Sequence, residues 1–234
     1  MSISRHIPNL FTLGNLFFGL LAIKFAYSNE LFFASICILS GAFLDFFDGF
    51  FARLLKVSGE LGKQLDSLAD LVTFGVAPSV IVFKLILMGD SNEFNFDTLA
   101  YIAFLIPLFS AYRLAKFNID TNQSDTFIGL PTPANALFFI AIPIASHFEN
   151  DSFLLEFLSQ KIVLILFVLA MCWLMVSSLP FIALKFKSYK WTGNQNRFIL
   201  IGLSILLLLL FHFVAVPIII LLYTVLSFIN NPRK

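Results

Sequence analysis

Asp45-Phe46-Phe47-Asp48-Gly49-Phe50-Phe51-Ala52-Arg53, continued by Gly62-Lys63-Gln64-Leu65-Asp66-Ser67-Leu68-Ala69-Asp70, is the stretch that decides how this chain folds. Four aspartates and an arginine stand in segments otherwise rich in phenylalanine and leucine. In the first segment Asp45, Asp48, Gly49, Ala52 and Arg53 keep the i, i+3, i+4, i+7, i+8 spacing of one helix side. Phe46, Phe47, Phe50, Phe51 and Leu54 fill the positions between them. In the second, Gly62, Asp66, Ala69, Asp70 and Thr73 share a stripe in the same way. Each helix is therefore oily where lipid would touch it and acidic where it could face a neighbour. An acid inside a bilayer costs roughly 2.5–3.5 kcal/mol on insertion scales. Four acids on two facing stripes require compensation, and a pair of divalent cations is the simplest form of it.

The rest of the chain sets that stretch in a membrane. Of 234 residues, 59% are hydrophobic and 12% charged, with a mean hydropathy of +0.92. Soluble domains carry about a quarter charged residues, so a water-soluble fold is excluded. The reading is all-α: a polytopic membrane helical bundle of about eight transmembrane helices, forming a single domain over residues 1–234. The expected spans are 8–27, 31–54, 62–88, 98–117, 131–147, 161–184, 197–212 and 215–230. The last two form one long apolar run broken only by His212 and Pro217. A cleaved signal peptide is not expected, because the first run is long and lacks a small-residue cleavage site. Cys37 and Cys172 lie inside apolar runs with no ligand-like spacing, so neither a disulfide nor a zinc site is expected.

Charge gives the orientation. Arg5, Arg53, Lys56, Lys63, Arg113, Lys116, Lys185, Lys187, Lys190, Arg197, Arg233 and Lys234 fall on one side under these spans. Glu30, Asp90, Glu93, Asp97, Glu149, Asp151 and Glu156 fall on the other, with Lys161 near its edge. The positive-inside rule then puts both termini, and the acids, on the cytoplasmic side of an inner (cytoplasmic) membrane. At 1.5 Å rise per residue, Asp45 and Asp48 lie within about two turns of the inner end of their span. Asp66 and Asp70 begin the next span at a similar depth.

Carboxylate oxygens suit hard cations such as Mg²⁺ or Mn²⁺, and two such ions can clamp a transferring phosphoryl group. Small residues at Gly49, Ala52 and Gly62 allow a bulky ligand close to the backbone. Arg53 offers a forked donor to a phosphate oxygen, and an acid free of metal can take a proton from an attacking hydroxyl. The residues alone thus point to metal-assisted phosphoryl transfer at the inner membrane face. No glycine-rich nucleotide loop, nucleophilic triad or nucleic-acid patch accompanies them.

Asp48-Gly49-x2-Ala52-Arg53-x8-Gly62-x3-Asp66-x3-Asp70, with Asp45 three residues ahead, resembles the signature of the CDP-alcohol phosphatidyltransferases at every position. The resemblance implies a six-helix catalytic core, a CDP-linked donor, two divalent metals, release of CMP and a homodimer. It implies that Asp45, Asp48, Asp66 and Asp70 ligate metal, with Asp70 also the general base. It also implies that Gly49, Ala52, Arg53 and Gly62 contact the nucleotide and its diphosphate. Further likeness lies in Pro8-Asn9-x2-Thr12-x2-Asn15, Phe74-Gly75-Val76-Ala77-Pro78, Arg113-Leu114-Ala115-Lys116-Phe117-Asn118 and Gly129-Leu130-Pro131-Thr132-Pro133. These resemble the phosphatidylserine synthases within that family, over about residues 5–135. That branch implies CDP-diacylglycerol and L-serine as substrates, with Asn9 and Thr12 near the nucleotide and Arg113, Lys116 and Asn118 near the acceptor. Lys116 departs from the arginine often found there.

Other readings stand beside these. Arg113, Lys116 and Lys63 can be bases that merely mark the membrane boundary. Asn9, Thr12 and Asn15 can be interhelical hydrogen-bond glue. His147 and His212, expected near the outer face, are read as packing residues, and Lys185, Lys187 and Lys190 as a topology marker beside anionic headgroups. A sibling enzyme using glycerol 3-phosphate or an inositol phosphate would need more cationic side chains than Arg113 and Lys116 supply. A cation- or proton-coupled transporter would place its acids near the midplane and show repeat symmetry; here they lie near one surface and no repeat is evident.

Overall fold

Small and polar residues spaced alternately four and three apart give the first helix a seam. Pro8, Thr12, Asn15, Gly19, Ala22 and Ala26 are the buried positions of α1 (Ile7–Tyr27). In a bilayer helices associate through close packing and hydrogen bonds, and small residues let backbones approach. The partner is α2 (Leu31–Leu54), whose buried face is Leu31, Ala34, Ser35, Cys37, Ile38, Gly41 and Asp48. The turn between them uses Asn29 at φ 62°, a left-handed conformation that asparagine tolerates. The computed structural model describes residues 7–55, 57, 59–88, 96–119, 127–149, 152–182, 191 and 194–229.

The third span is one apolar stretch, Glu60–Met88, of 29 residues, but it is not uniformly α-helical. It comprises α3 (Glu60–Asp70), a π-helical turn (Leu71–Val76) and α4 (Ala77–Met88). Pro78 has no N–H to donate back to Phe74, so the regular ladder cannot run through this point; Ala77 N–H instead reaches Val72 O. The widened turn begins directly after Asp70. It presses Thr73 against the first hairpin: a Cβ on Gly19 would lie 2.5 Å from Thr73 Oγ1, and one on Gly41 would lie 2.7 Å from Thr73 Cγ2.

The next span starts as a 3-10 helix (Phe96–Phe104) and becomes α5 (Leu105–Ile119) around Pro107. α6 (Thr132–Phe148) has 17 residues and is buried along most of its length. It contributes Ala136, Ile140 and Ile144 to the core shared with α1 and α2. Phe138, Phe139 and Ile142 belong to a second core, with α8 (Lys161–Val176) and α10 (Ala215–Ile229). A helix apolar on all sides belongs inside a bundle, and α6 is that central element. α7 (Phe153–Ser159) meets α8 at a 71° bend. α9 (Gln195–Phe211) buries only Leu200, so its apolar surface is left for lipid.

The all-α membrane bundle expected from the sequence is what the chain forms: among the described residues five helices are long and apolar enough to cross a membrane, or six if the bent pair is one span. The chain is an integral membrane protein. Two expectations change in detail. The span placed at 161–184 ends as helix at Val176, where Ser177 turns extended (ψ 154°) ahead of Pro180, and residues before proline disfavour helix. There β1 (Phe127–Ile128) pairs antiparallel with β2 (Pro180–Phe181). The long run Gln195–Ile229 divides at His212, whose φ is 44°, into α9 and α10, in keeping with the separate spans expected at 197–212 and 215–230. The charge partition is also less clean: Lys24 and Lys84 lie toward the end opposite the acids, against the rings of Phe25 and Tyr27 respectively. Lys161 is buried. Cys37 and Cys172 are both buried free thiols. His147 stacks on Phe32 with ring centroids 3.9 Å apart. Arg5, Lys56, Lys185, Lys187, Lys190, Arg233, Lys234, Asp90, Glu93, Asp151 and the side chain of Asp97 lie outside the described residues.

Gly19→Ala tests the close approach. Its new methyl would meet Thr73 Cα at 3.0 Å, a backbone atom that cannot rotate away. The expected loss is about 1–3 kcal/mol of stability, read as a lowered unfolding midpoint in detergent; an unchanged midpoint would contradict the packing.

Candidate active site

The acids gather at one end of the bundle because α2 ends where α3 begins. Carboxylate oxygens of Asp45, Asp48 and Asp66 lie within 4.8 Å of one another. Asp48 is buried, and Asp45 and Asp66 are half-buried. The spacing that put Asp45 and Asp48 on one side of α2 also sends the phenylalanines elsewhere. Phe46 and Phe50 are 63% and 43% exposed, while Phe47 and Phe51 pack on Phe11 of α1, at 6.1 and 5.0 Å between centroids.

Asp70 sits one turn further along α3, with Asp45 and Asp66 as its charged neighbours. Asn15 Nδ2 donates to its Oδ1 at 3.2 Å. Asn15 is itself fixed by the π-helical turn, because Thr73 Oγ1 donates to its backbone carbonyl at 3.0 Å. Thr12 Oγ1 donates to Asp48 Oδ2 at 2.7 Å. The polar end of the α1 seam therefore orients two of the four acids. Thr12 and Asn15 do make interhelical hydrogen bonds, and their partners are the acids themselves. Asn15 stood in the sequence motif without being singled out as a site residue; its spacing of three from Thr12 was the available signal.

The other predicted positions surround this cluster. Asn9 Oδ1 would stand 3.4 Å from a Cβ on Gly62, so the close approach at Gly62 is real. Around Gly49 the nearest group to an added Cβ is the Arg53 guanidinium, at 3.8 Å. Ala52 is half-buried and Arg53 exposed, leaving that guanidinium open to solvent at the same end. Arg113 is buried, 9% exposed, with electrostatic neighbours Asp70 and Tyr223. Its Nε has no hydrogen-bond partner among the described residues. Arg113 and Lys116 together line a cleft with Phe117, Ile128, Met175 and Ser177. Asn118 is used differently. Its Nδ2 donates to Ser67 Oγ at 2.8 Å and its carbonyl accepts from Lys63 Nζ at 2.6 Å, so it ties the end of α5 to α3. Lys63 thus holds a neighbouring helix end.

Oxygens this close suit a hard cation. An octahedral Mg²⁺ at about 2.1 Å from each ligand spaces neighbouring oxygens about 3 Å and opposite ones about 4 Å apart. A separation of up to 4.8 Å needs only a small side-chain adjustment to meet that. The three carboxylates fit a divalent ion by donor type, and by distance once that adjustment is made.

Residues 5–183 match the family model described as CDP-alcohol phosphatidyltransferase. A relative from Helicobacter pylori, named CDP-diacylglycerol–serine O-phosphatidyltransferase, is 35% identical over 201 residues, covering 85% of this chain and 80% of its own. One of the same name from Bacillus subtilis is 36% identical over 181 residues, covering 76% and 90%. One from Saccharomyces cerevisiae is 35% identical over 157 residues, covering 58% and 53%.

Ser67→Ala and Asn118→Ala should behave as a coupled pair. A double-mutant cycle on unfolding in detergent is expected to give a coupling of about 0.5–1.5 kcal/mol; strict additivity would deny the link between α3 and α5.

Proposed function

The chain belongs to the CDP-alcohol phosphatidyltransferase family, and from that premise we propose that it transfers a phosphatidyl group from CDP-diacylglycerol to the hydroxyl of L-serine, releasing CMP. The names of the relatives support the choice of substrates. The observation that carries the chemistry is the convergence of Asp45, Asp48 and Asp66 beside an Asp70 held by Asn15.

In this reading Asp45, Asp48 and Asp66, with Asp70 completing the set, hold two divalent cations, Mg²⁺ or Mn²⁺. Bound ions there supply positive charge to the diphosphate and to the developing charge on CMP. Arg53 adds a forked donor, and Gly49, Ala52 and Gly62, flanked by Asn9 and Thr12, leave room for the nucleotide. Asn15 occupies Oδ1 of Asp70, which leaves Oδ2 to accept the serine hydroxyl proton. The serine oxygen then forms a bond to the phosphatidyl phosphorus. The bond from that phosphorus to the CMP oxygen breaks, and CMP departs with the electron pair.

Arg113 is the cation for the serine carboxylate. It is buried near Asp70, and its unpartnered Nε fits a group that must wait for a ligand. Lys116, exposed along the same cleft, attracts the substrate to it. Asn118 contributes by fixing the cleft's edge through Ser67. The positive-inside rule places the cluster and both termini on the cytoplasmic side of the inner membrane. The water-soluble serine enters from that side, and the acyl chains approach through lipid. Residues 1–234 act as one catalytic domain, and a homodimer is the expected assembly.

The deciding experiment supplies purified protein in mixed micelles with CDP-diacylglycerol and serine, glycerol 3-phosphate or an inositol phosphate in turn. CMP release with serine alone is expected; release with a phosphorylated acceptor and none with serine would overturn the assignment. Asp70→Asn should abolish CMP release, a loss of at least about 10²-fold, while CDP-diacylglycerol still binds. Near-normal turnover would remove Asp70 from the base role. Asp45→Asn or Asp66→Asn should instead shift the divalent-ion dependence of activity to higher concentration, and an unmoved titration would count against ligation.

A further inference from the structure

The C-terminal helix α10 lies beyond residues 5–183 that match the family, yet it grips the acceptor side of the site. Tyr223 Oη donates to the carbonyl of Ile182 at 3.0 Å. The N–H of the same residue donates to Ser227 Oγ at 3.2 Å, and Ser227 is buried. Both backbone groups of Ile182 are thus held by one face of one helix, four residues apart. The Tyr223 ring also packs on Phe181, 5.3 Å between centroids.

That grip is passed on through the backbone. β2 carries Phe181, and Pro180 of β2 is paired with Ile128 of β1. Just beyond β1, Gly129 N–H donates to Leu179 O at 2.9 Å and Leu130 N–H to Leu174 O at 3.0 Å. Gly129 has φ 77°, and a Cβ there would collide with the carbonyl of Met175. This junction is therefore tight and admits little rearrangement. Ile128, Met175 and Ser177 form the wall of the cleft that Arg113 and Lys116 share.

We propose that Tyr223 is a positioning residue for acceptor binding: by fixing Ile182 it sets the strand-pair wall of the cleft and the surroundings of the Arg113 guanidinium. The proposal rests on the reading of this cleft as the acceptor site. Among the described residues Tyr223 bonds Ile182, packs on Phe181 and has Arg113, not an aspartate, as its charged neighbour, so its effect falls on serine affinity and spares the chemical step. α10, which lies outside the matched residues 5–183, thereby tunes selectivity for a carboxylate-bearing acceptor.

The test is Tyr223→Phe, which keeps the ring against Phe181 and deletes only the donor. With wild-type protein as reference, KM for serine should rise about 3- to 10-fold, the range for one lost hydrogen bond. KM for CDP-diacylglycerol and kcat should stay within about twofold. Ser227→Ala, which frees the other backbone group of Ile182, should move serine KM in the same direction, and it carries the test should the tyrosine variant not fold. Hydrogen exchange over residues 177–182 should quicken in both variants, a readout that does not depend on which acceptor is used. Serine KM unchanged in both, or kcat falling equally with both KM values constant, would overturn the positioning role. Faster exchange in the variants of a protein that releases no CMP with serine would instead uphold the clamp and overturn the serine assignment.

Discussion

Like charges brought together near the edge of a membrane are the constraint from which the structure follows. Two carboxylates at 4.8 Å repel by roughly 3–4 kcal/mol at an effective dielectric of about 20, and the cluster holds several such pairs. Beyond the positive charge of Arg113 beside Asp70, helix packing does not cancel this repulsion. Instead the neighbours hold each acid in place: Thr12 donates to Asp48 and Asn15 to Asp70, while the Gly19 and Gly41 contacts press Thr73 against α1 and α2. The bundle is built to keep the acids apart from lipid and close to each other, an arrangement that divalent ions make favourable.

The parts of this design governed by local periodicity were legible in the sequence. Asp45 and Asp48 fell on one side of a helix and Phe46 and Phe50 on the other because i+3 and i+4 neighbours share a face, and the structure places them so. The membrane class followed from composition, since no soluble core accommodates so many apolar residues. Cys37 and Cys172, which lie inside apolar runs, are buried.

What sequence reading missed depends on contacts between distant residues. Nothing near Asn118 indicates that its amide is taken by Ser67 and its carbonyl by Lys63. Asn15 lies 55 positions from Asp70, so only the fold shows that the two meet. The π-helical turn at Leu71–Val76 needed Pro78 to be weighed against the ladder rather than against the apolar pattern. α8 stops at Val176 although the residues that follow are still apolar; hydropathy does not report a strand pair. Lys24 and Lys84, at the end opposite the acids, find aromatic rings, a compensation that counting loop charges does not register.

Family likeness and geometry contribute different things to the account. The match over residues 5–183 fixes the reaction class, whereas the cleft between α5, β1 and α8 and the grip of α10 describe how this chain would receive its acceptor. The proposed mechanism rests on ions at the aspartate cluster. The most direct measurement is an electron paramagnetic resonance titration of Mn²⁺ into the purified protein and its Asp48→Asn variant. A pair of ions bound near each other in the wild type, and lost or weakened at least about tenfold in the variant, is the predicted result. Equal binding by the two proteins, or none above the detergent background, would contradict the account.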